Sequence, residues 1–366
     1  MFFLDGIKEE DKKEILGCLD ELEAISQREA ERNGWNKEEE DSPLSITIKP
    51  EALDTSKMQT GDGSKQYRPK TLDDYVGQKE AKIELLNEIH GCKANNEPFS
   101  HTFISAPAGH GKTLLAEIIA NILDKKVVFT TGGQLKSEQL FVDKINECEG
   151  GLIIIDEANK LPDKVGFFML PTIEKFEVDG KSLIPFTVIF MTTHKGDIAK
   201  NLDALIQRCN LQLELNHYNQ EELITILKGY KDKQYPTKRV PDEIYTAIAK
   251  NCRATPRLAR TLLRKYVFSG NWEQVLEMNK IVKDGLTDVD VKVLKYINSN
   301  GGASKGSIAS YLRVKPSTYE FEIETYLIHK ELLEVKNKRK ITPQGIQFLK
   351  EIWNGFNKNN QKINKA

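Results

Sequence analysis

Short runs of consecutive apolar residues alternate with amphipathic stretches through the middle of this chain. Three of these runs, at residues 126–131, 151–157 and 185–191, are rich in β-branched residues and too short for typical helices. Between the runs, apolar residues recur at the spacing of helical turns. Apolar strands that alternate with helices predict an α/β fold, in which helices cover both faces of a parallel sheet.

Residues 1–66 follow another pattern. Apolar side chains from Ile15 to Ile25 recur at helical spacing among charges, which predicts one amphipathic helix. That helix would dock on the body of the protein or receive a partner, and the pattern does not choose between the two. The acidic stretch 37–66 predicts a mobile linker, and residues 356–366 predict a flexible tail.

The C-terminal part has the pattern of three helices followed by a hairpin. The predicted helices cover residues 289–297, 308–312 and 319–329, and the predicted strands cover 332–335 and 339–341. A helix–turn–helix with a basic wing is a layout that binds duplex DNA, and here Lys338, Arg339 and Lys340 would contact phosphates. A winged helix that contacts only proteins is the alternative.

Composition sets the limits of the fold. The chain has 366 residues, of which 39% are hydrophobic and 29% charged, so we expect two or three soluble domains. Apolar runs stay short of the roughly 18 residues that span a bilayer, and the N-terminus lacks a signal-peptide pattern. We therefore expect no membrane association. Five scattered cysteines without a C-x-x-C pair favour reduced thiols in the cytoplasm over a zinc site.

The net charge of −1 hides a difference along the chain. Acidic residues exceed basic ones before residue 217, whereas lysine and arginine dominate after it. A basic C-terminal half is compatible with binding a phosphate backbone, but a solvated surface explains it as well.

A phosphate-binding loop is predicted at residues 106–113, which read A-P-A-G-H-G-K-T. An apolar strand pattern precedes the loop and a helical pattern follows it, as the motif G-x-x-x-x-G-K-[ST] requires. Ala106 stands where the motif has glycine, which we interpret as a mild variant. In such a loop, backbone N–H groups and a helix N-terminus bind phosphates. The alternative is an ordinary strand–helix turn with chance glycines.

The side chains expected to act on ATP come from this loop and from the apolar run that ends at Asp156 and Glu157. Lys112 would reach the β- and γ-phosphates, and Thr113 and Asp156 would hold Mg²⁺. Glu157 would polarise the attacking water. The loop residues predicted to bind nucleotide are Gly109, His110, Gly111, Lys112, Thr113 and Leu114. Together the two motifs predict ATP hydrolysis.

Six segments together resemble the RuvB family, the AAA+ motors of Holliday-junction branch migration. They read YRPKTLDDYVGQ, APAGHGKT, LIIIDEANKL, FTVIFMTTH, ATPRLARTLLRK and ITPQG, in the order and spacing of that family. The resemblance implies an AAA+ ATPase domain at 67–216, a helical lid and connector at 217–284 and a winged helix at 285–355. It also implies an oligomeric ring, expected to be hexameric, that acts on double-stranded or branched DNA with ATP and Mg²⁺.

The resemblance also assigns roles to single residues. Thr193 matches the sensor-1 position, Arg208 matches the arginine finger that reaches a neighbouring subunit, and Arg257 matches the sensor-2 arginine. The residues that match the adenine side of the family's nucleotide site are Arg68, Tyr75, Val76 and Tyr218. Two positions depart from the family, because Ile206 replaces another arginine of the finger motif and Asn337 replaces a second arginine of the wing.

One segment of the chain is shorter than its counterpart in the family. There, a long hairpin docks the partner RuvA. It lies between the helix that follows the acidic pair and the strand that ends at the sensor-1 position. Here residues 176–187 fill that position and predict only a small turn at Asp179-Gly180. We therefore expect an unknown protein partner rather than an ordinary RuvA, and the unmatched residues 1–66 fit that expectation.

The function predicted from these features is that of an ATP-dependent DNA motor. It would hydrolyse ATP at the interfaces of a ring and translocate double-stranded DNA or Holliday junctions. Two other classes stay open. One is an ATP switch or loader that binds DNA without moving it, as initiator proteins do. The other is an ATP-gated assembly factor that has no DNA substrate.

Overall fold

The computed structural model describes residues 67–193 and 200–352. The predicted N-terminal helix, the acidic linker and the C-terminal tail lie outside the described residues. In this part of the chain no helix is long and apolar enough to span a membrane.

Helices and strands alternate through the first part of the described chain, as predicted. They are α1 (Lys79–Asn95), β1 (Thr102–Ser105), α2 (Lys112–Leu123), β2 (Val127–Thr131), α3 (Glu138–Cys148), β3 (Leu152–Asp156), a 3₁₀ turn (Ala158–Lys160), α4 (Asp163–Lys175), β4 (Glu177–Val178), β5 (Lys181–Ser182), β6 (Thr187–Thr192), α5 (Lys200–Ile206) and β7 (Leu211–Glu214). Five of the strands form one parallel sheet in the order β2-β3-β6-β1-β7. The predicted α/β class is confirmed.

Both faces of the sheet are buried at β3, which explains why this strand is apolar from Leu152 to Ile155. Along β3, Ile153 and Ile155 pack into one cluster of buried side chains, whereas Leu152 and Ile154 pack into another on the opposite face. Each fully buried isoleucine stabilises the fold by about 1.5–3 kcal/mol. The sheet therefore gives a rigid base for the loops at its edges.

Residues 176–187 form the small hairpin that the sequence predicts. Strands β4 and β5 pair antiparallel over two residues each. Asp179 and Gly180 connect them with positive φ angles of 50° and 74°, as a tight two-residue hairpin turn requires.

A helical bundle follows the sheet. Its elements are α6 (Gln220–Gln234), α7 (Asp242–Asn251), α8 (Pro256–Ser269), α9 (Trp272–Met278), β8 (Ile281–Lys283) and β9 (Leu286–Thr287). Helix α6 begins with a capping box, in which Asn219 and Glu222 each accept a hydrogen bond from the backbone N–H of the other. Leu227, Ile248 and Leu262 lie in the core of the bundle. The bundle corresponds to the predicted lid.

The C-terminal unit is a winged helix. Its elements are α10 (Asp288–Ser299), α11 (Lys305–Leu312), α12 (Pro316–Tyr319), a π turn (Glu320–Glu324), α13 (Thr325–His329), β10 (Leu333–Val335) and β11 (Arg339–Ile341), and residues 343–352 are helical. The third predicted helix begins at Pro316, three residues earlier than expected. The predicted boundary between residues 284 and 285 falls in the turn of the β8–β9 hairpin, so this hairpin joins lid and winged helix. The domain limits themselves stay predictions.

Candidate nucleotide and DNA sites

The loop at residues 106–113 connects β1, inside the sheet, to the start of α2. Gly109 and Gly111 have φ angles of +81° and +97°, which favour glycine. A Cβ atom at Gly109 would lie 2.8 Å from Cγ2 of Thr255, and one at Gly111 would lie 3.0 Å from the hydroxyl of Tyr75. Ala106 is not among the residues with positive φ, so alanine causes no backbone strain there.

Lys112 is enclosed by this loop. Its side chain is buried, and Nζ donates hydrogen bonds to the carbonyls of Ala106 at 2.7 Å and Pro107 at 3.3 Å. Burial lowers the pKa of Lys112 to about 8, the Asp156 carboxylate opposes this shift, and the Arg257 guanidinium adds to it. The structure therefore brings Lys112, Asp156 and Arg257 together.

The predicted acidic pair lies at the end of β3. Asp156 is the last residue of the strand, and its Oδ1 accepts a hydrogen bond from the backbone N–H of Glu157 at 2.8 Å. Glu157 has a φ of 48°, which is unusual for a non-glycine residue. Its carboxylate forms an ion pair with Lys160 at 2.8 Å and is half exposed. Glu157 would have to leave Lys160 in order to orient a water molecule.

Strand β6 lies between β3 and β1 and ends beside both motifs. Its last residue, Thr192, is buried and donates a hydrogen bond from Oγ1 to Oδ1 of Asn159 at 3.3 Å. Thr193, the predicted sensor-1 residue, follows directly and is half buried. The sequence analysis missed Asn159, although its position two residues after Glu157 was a usable signal. The Thr192–Asn159 contact joins the acidic turn to the sensor-1 strand.

Two tyrosines contact the phosphate loop from outside. The hydroxyl of Tyr75 donates to the carbonyl of Gly111 at 3.4 Å, and that of Tyr218 donates to the carbonyl of His110 at 3.2 Å. Both side chains are buried, and burial raises the pKa of each phenol. Val76, which follows Tyr75, is half buried. The structure therefore brings Tyr75 and Tyr218 to the phosphate loop, and their role beside the adenine stays a prediction.

Arg68 is held by a residue that the sequence analysis did not single out. Its Nη1 atom lies 2.6 Å from Oε1 of Glu117, a buried carboxylate on α2. Burial raises the pKa of Glu117, and Arg68 opposes that shift. Glu117 lies on the helix that begins at Lys112, at the end of the phosphate loop. The ion pair with Glu117 therefore holds Arg68 close to this loop. A glutamate inside an otherwise apolar helix stretch was the available signal.

Arg257 lies beside the phosphate loop, whereas Arg208 lies at the opposite edge of the sheet. Arg257 lies at the start of α8, and its Cβ is 3.0 Å from where a Cβ at Gly109 would sit. Arg208 precedes β7, pairs with Glu174 at 3.3 Å and is partly exposed. The amide of Asn210 donates to the hydroxyl of Ser100, which precedes β1. Arg208 therefore lies at the amino ends of the strands, whereas the phosphate loop lies at their carboxyl ends.

The length of the strands keeps these two regions apart. Strand β7 has four residues, and at roughly 3.3 Å per residue its ends are about 13 Å apart. The fold does not bring Arg208 to the phosphate loop of its own chain.

The wing differs from its prediction at one residue. Lys338 and Lys340 are exposed. The guanidinium of Arg339 instead forms a bidentate ion pair with Glu324, in which Nε donates to Oε2 at 2.7 Å and Nη2 donates to Oε1 at 3.1 Å. The side chains of Arg339 and Glu324 are only 15% and 6% exposed. Glu324 binds two nitrogens of this guanidinium, so the phosphate contact by Arg339 stays a prediction that would require the ion pair to open. Lys338 and Lys340 are left as the candidate contacts.

A P-loop at the end of an inner strand, an acidic pair at the end of another strand of the same sheet, a helical lid and a winged helix define an AAA+ ATPase. Two family models match the chain, the RuvB P-loop domain over residues 67–209 and the RuvB C-terminal winged helix over residues 283–350. The chain belongs to the RuvB family, and the predicted family and fold are confirmed.

Individual relatives agree with this assignment. The chain is 30% identical over 303 residues to the Holliday junction branch migration complex subunit RuvB of Mycoplasma genitalium, covering 77% of this chain and 97% of the relative. It is 32% identical over 314 residues to that of Phytoplasma mali, covering 78% and 93%. The structure of the Thermotoga maritima RuvB Holliday junction branch migration motor matches with a TM-score of 0.70 and 29% identity, covering 77% of this chain and 98% of that one.

Proposed function

We propose that this chain is an ATP-driven motor that moves branched DNA. The observation that carries the proposal is the shared edge of the sheet, where Lys112, Asp156 and Thr193 lie at the carboxyl ends of three adjacent strands and Arg257 reaches them from the lid. This is the arrangement that hydrolyses a nucleotide, and the same chain carries a winged helix. The relatives are named for Holliday junction branch migration.

ATP and Mg²⁺ are the proposed cofactors. Thr113, in the first turn of α2, and Asp156 supply hard oxygen ligands of the kind that Mg²⁺ prefers. A metal ion there would neutralise charge that develops on the phosphates. Lys112 holds the phosphates, Glu157 orients the attacking water after leaving Lys160, and Thr193 fixes that water or the terminal phosphate.

The active site is proposed to be shared between subunits. Arg208 cannot serve its own phosphate loop, because the strand length separates the two. Its guanidinium is partly exposed and held only by Glu174 and the carbonyl of Ala204 among the contacts described. In a ring, Arg208 of one subunit would stabilise transition-state charge in the site of the next. A hexamer is the ring size that we propose.

DNA is proposed to bind at the winged helix, through the exposed lysines Lys338 and Lys340 of the wing. Exposed lysines give phosphate contacts that depend on salt and little on sequence. The hairpin at β4–β5 is too short for the extended docking surface of the family, so we propose a partner other than an ordinary RuvA. A cytoplasmic location fits Cys148, Cys209 and Cys252, which are buried free thiols.

A synthetic four-way junction with labelled arms tests the proposal. Wild-type protein with ATP and Mg²⁺ should convert the junction to its duplex products, whereas Glu157→Gln should bind it without converting it. Glu177→Gln, an exposed carboxylate on β4, is the matched control and should behave as wild type. Binding that depends on ATP without conversion would favour the switch or loader, and absence of DNA binding would favour the assembly factor.

A further inference from the structure

Three histidines form a continuous series of contacts from the phosphate loop to the winged helix. His110 lies in the phosphate loop, His217 lies between β7 and α6, and His329 ends α13. Nε2 of His110 is 3.1 Å from Nδ1 of His217. The rings of His217 and His329 have centroids 4.4 Å apart and planes inclined by 32°. We call these three residues the histidine column.

Chemistry fixes the direction of the hydrogen bond inside the column. Nδ1 of His110 is 3.2 Å from the carbonyl of Ala108, and a carbonyl oxygen only accepts, so Nδ1 carries the proton. Burial, with the positive charges near it, lowers the pKa of His110 to about 4, which keeps the ring neutral. Its Nε2 is then an acceptor, and Nδ1–H of His217 must donate. The link therefore needs a donor at His217.

The other end of the column lies in the winged helix, the unit to which the proposed function assigns DNA binding. His329 is the last residue of α13, and its ring also lies 6.2 Å from that of Tyr326. A cavity of about 280 Å³ lies beside this contact, lined by Tyr218, Leu223, Tyr326 and His329 among others. The cavity therefore lies between residues of the lid and residues of the winged helix.

A second connection runs parallel to the column through the lid. The guanidinium of Arg253 pairs with the fully buried carboxylate of Asp290 on α10 at 3.1 Å and lies 4.3 Å from the ring centre of Tyr326. Four residues further along, Arg257 packs beside Gly109 of the phosphate loop. The loop between α7 and α8 thus contacts the winged helix at one end and the phosphate loop at the other. The histidine column also joins the phosphate loop to the winged helix, through other residues.

We propose that His217 is a positioning residue that couples the phosphate loop to the winged helix, so that nucleotide and DNA change each other's affinity. The inference rests on the proposed function and names the residue that joins its two sites. Phosphates in the loop must draw Lys112 away from the carbonyls of Ala106 and Pro107, which moves the backbone that carries His110. His217 transmits this movement to His329, because it is hydrogen-bonded to the ring of His110 and packs against the ring of His329.

Such a coupling is reciprocal. If DNA raises the affinity for nucleotide by some factor, nucleotide must raise the affinity for DNA by the same factor, and typical factors are about 5 to 150. The test therefore measures four dissociation constants, for a slowly hydrolysed ATP analogue with and without four-way junction DNA, and for the junction with and without the analogue. Wild type should give two equal ratios of at least about fivefold.

Three substitutions separate the parts of the link. His217→Phe keeps a ring that stacks on His329 but has no donor for His110. His217→Asn keeps a donor near the position of Nδ1 but has no ring. His329→Ala removes the far end at an exposed position, so the fold should tolerate it. Each should lower the coupling ratio to well below about fivefold, the low end of typical coupling, while the affinity for either ligand alone stays near wild type.

His90→Ala is the control, because His90 is exposed on α1 and outside the column. It should keep the wild-type ratio. A role confined to stability would lower the melting temperature and leave the ratio intact, so the ratio reports on positioning. The double variant His217→Phe/His329→Ala should lose no more coupling than either single variant, because both break one series of contacts.

The outcomes are distinct. Wild-type coupling in all three variants, or no coupling in wild type that binds both ligands, would overturn the inference and leave the proposed motor untouched. If wild type binds no DNA or hydrolyses no ATP, the proposed function fails first and the inference fails with it.

Discussion

The phosphate loop and the wing are both expected to meet phosphate groups, but they present positive charge in different ways. In the loop, Lys112 is only 6% exposed and two backbone carbonyls hold its ammonium group. In the wing, Lys338 and Lys340 are exposed. The one arginine between them is turned inward to Glu324.

The difference shows two kinds of recognition. A loop whose glycines allow close approach, at a helix N-terminus, recognises the shape of a polyphosphate. Exposed lysines act as point charges that any phosphate backbone satisfies and that salt screens. Changes at the nucleotide site should therefore cause large, all-or-none losses, whereas changes at the wing should cause graded losses that depend on salt.

Arg208→Ala should have the largest effect. The finger contributes about 10³-fold or more to hydrolysis in related phosphoryl-transfer sites, and the substitution leaves the phosphate loop intact, so ATP should still bind. The measurement compares steady-state hydrolysis with ATP affinity. Arg239→Ala, an exposed arginine in the lid, should hydrolyse ATP normally.

Mixing tests whether Arg208 acts on a neighbouring subunit. Arg208→Ala and Glu157→Gln proteins should each hydrolyse ATP slowly alone, but some interfaces of a mixed ring would pair an intact Glu157 with an intact Arg208. Mixtures at several ratios should recover part of the activity. No recovery in rings proven to contain both proteins would contradict a finger that acts between subunits.

Glu157→Gln should lower hydrolysis by about 10²-fold or more, because a residue that activates the attacking nucleophile typically contributes that much, and should leave ATP binding intact. Lys112→Ala should instead weaken ATP binding, because Lys112 holds the phosphates in the ground state. Titration of a fluorescent nucleotide together with turnover separates the two. Parental turnover in Glu157→Gln would show that the acidic pair is assigned wrongly.

Arg339→Ala should destabilise the winged helix by about 3 kcal/mol, because removing one partner leaves the other charge buried and unpaired. The measurement is the free energy of unfolding at neutral pH. The double variant Arg339→Met/Glu324→Leu removes both charges and should regain most of the loss. A stability unchanged in Arg339→Ala would mean that the ion pair is not formed in solution.

The smallest effect is expected at the exposed lysines. Lys338→Ala/Lys340→Ala should flatten the log–log salt dependence of duplex binding by about two units, since each phosphate contact contributes about 0.9. Lys292→Ala/Lys295→Ala, two exposed lysines of α10, removes the same charge outside the wing and should leave the slope unchanged. An equal change in both double variants would indicate that only net charge matters.

Local patterns predicted most of the fold and the nucleotide site. The phosphate loop, the acidic pair and the small β4–β5 hairpin depend on contiguous residues whose geometry is set by glycines, strand ends and turns, and the structure has all three. The order of the strands then brings Asp156, Thr193 and Lys112 to one edge, because parallel strands share the same carboxyl end.

Contacts between distant elements could not be predicted in the same way. Basic residues in the wing were visible, but the burial of Arg339 depends on Glu324, which lies 15 residues earlier on another element. The pairing of Arg68 with Glu117 and the contacts of His217 likewise join parts of the chain that only tertiary packing brings together. Residue type therefore predicted the chemistry of each side chain, but not which charged or polar side chains are paired with another residue in the folded chain.

The central claim is that ATP hydrolysed at the phosphate loop moves DNA held by the winged helix. The most direct test measures ATP hydrolysis and conversion of a four-way junction in one sample, for wild type and for Lys338→Ala/Lys340→Ala. The account predicts that wild type couples the two. It also predicts that the wing variant keeps its hydrolysis without DNA but loses stimulation by DNA and converts fewer junctions. Conversion by the wing variant at the wild-type rate, at every salt concentration, would contradict it.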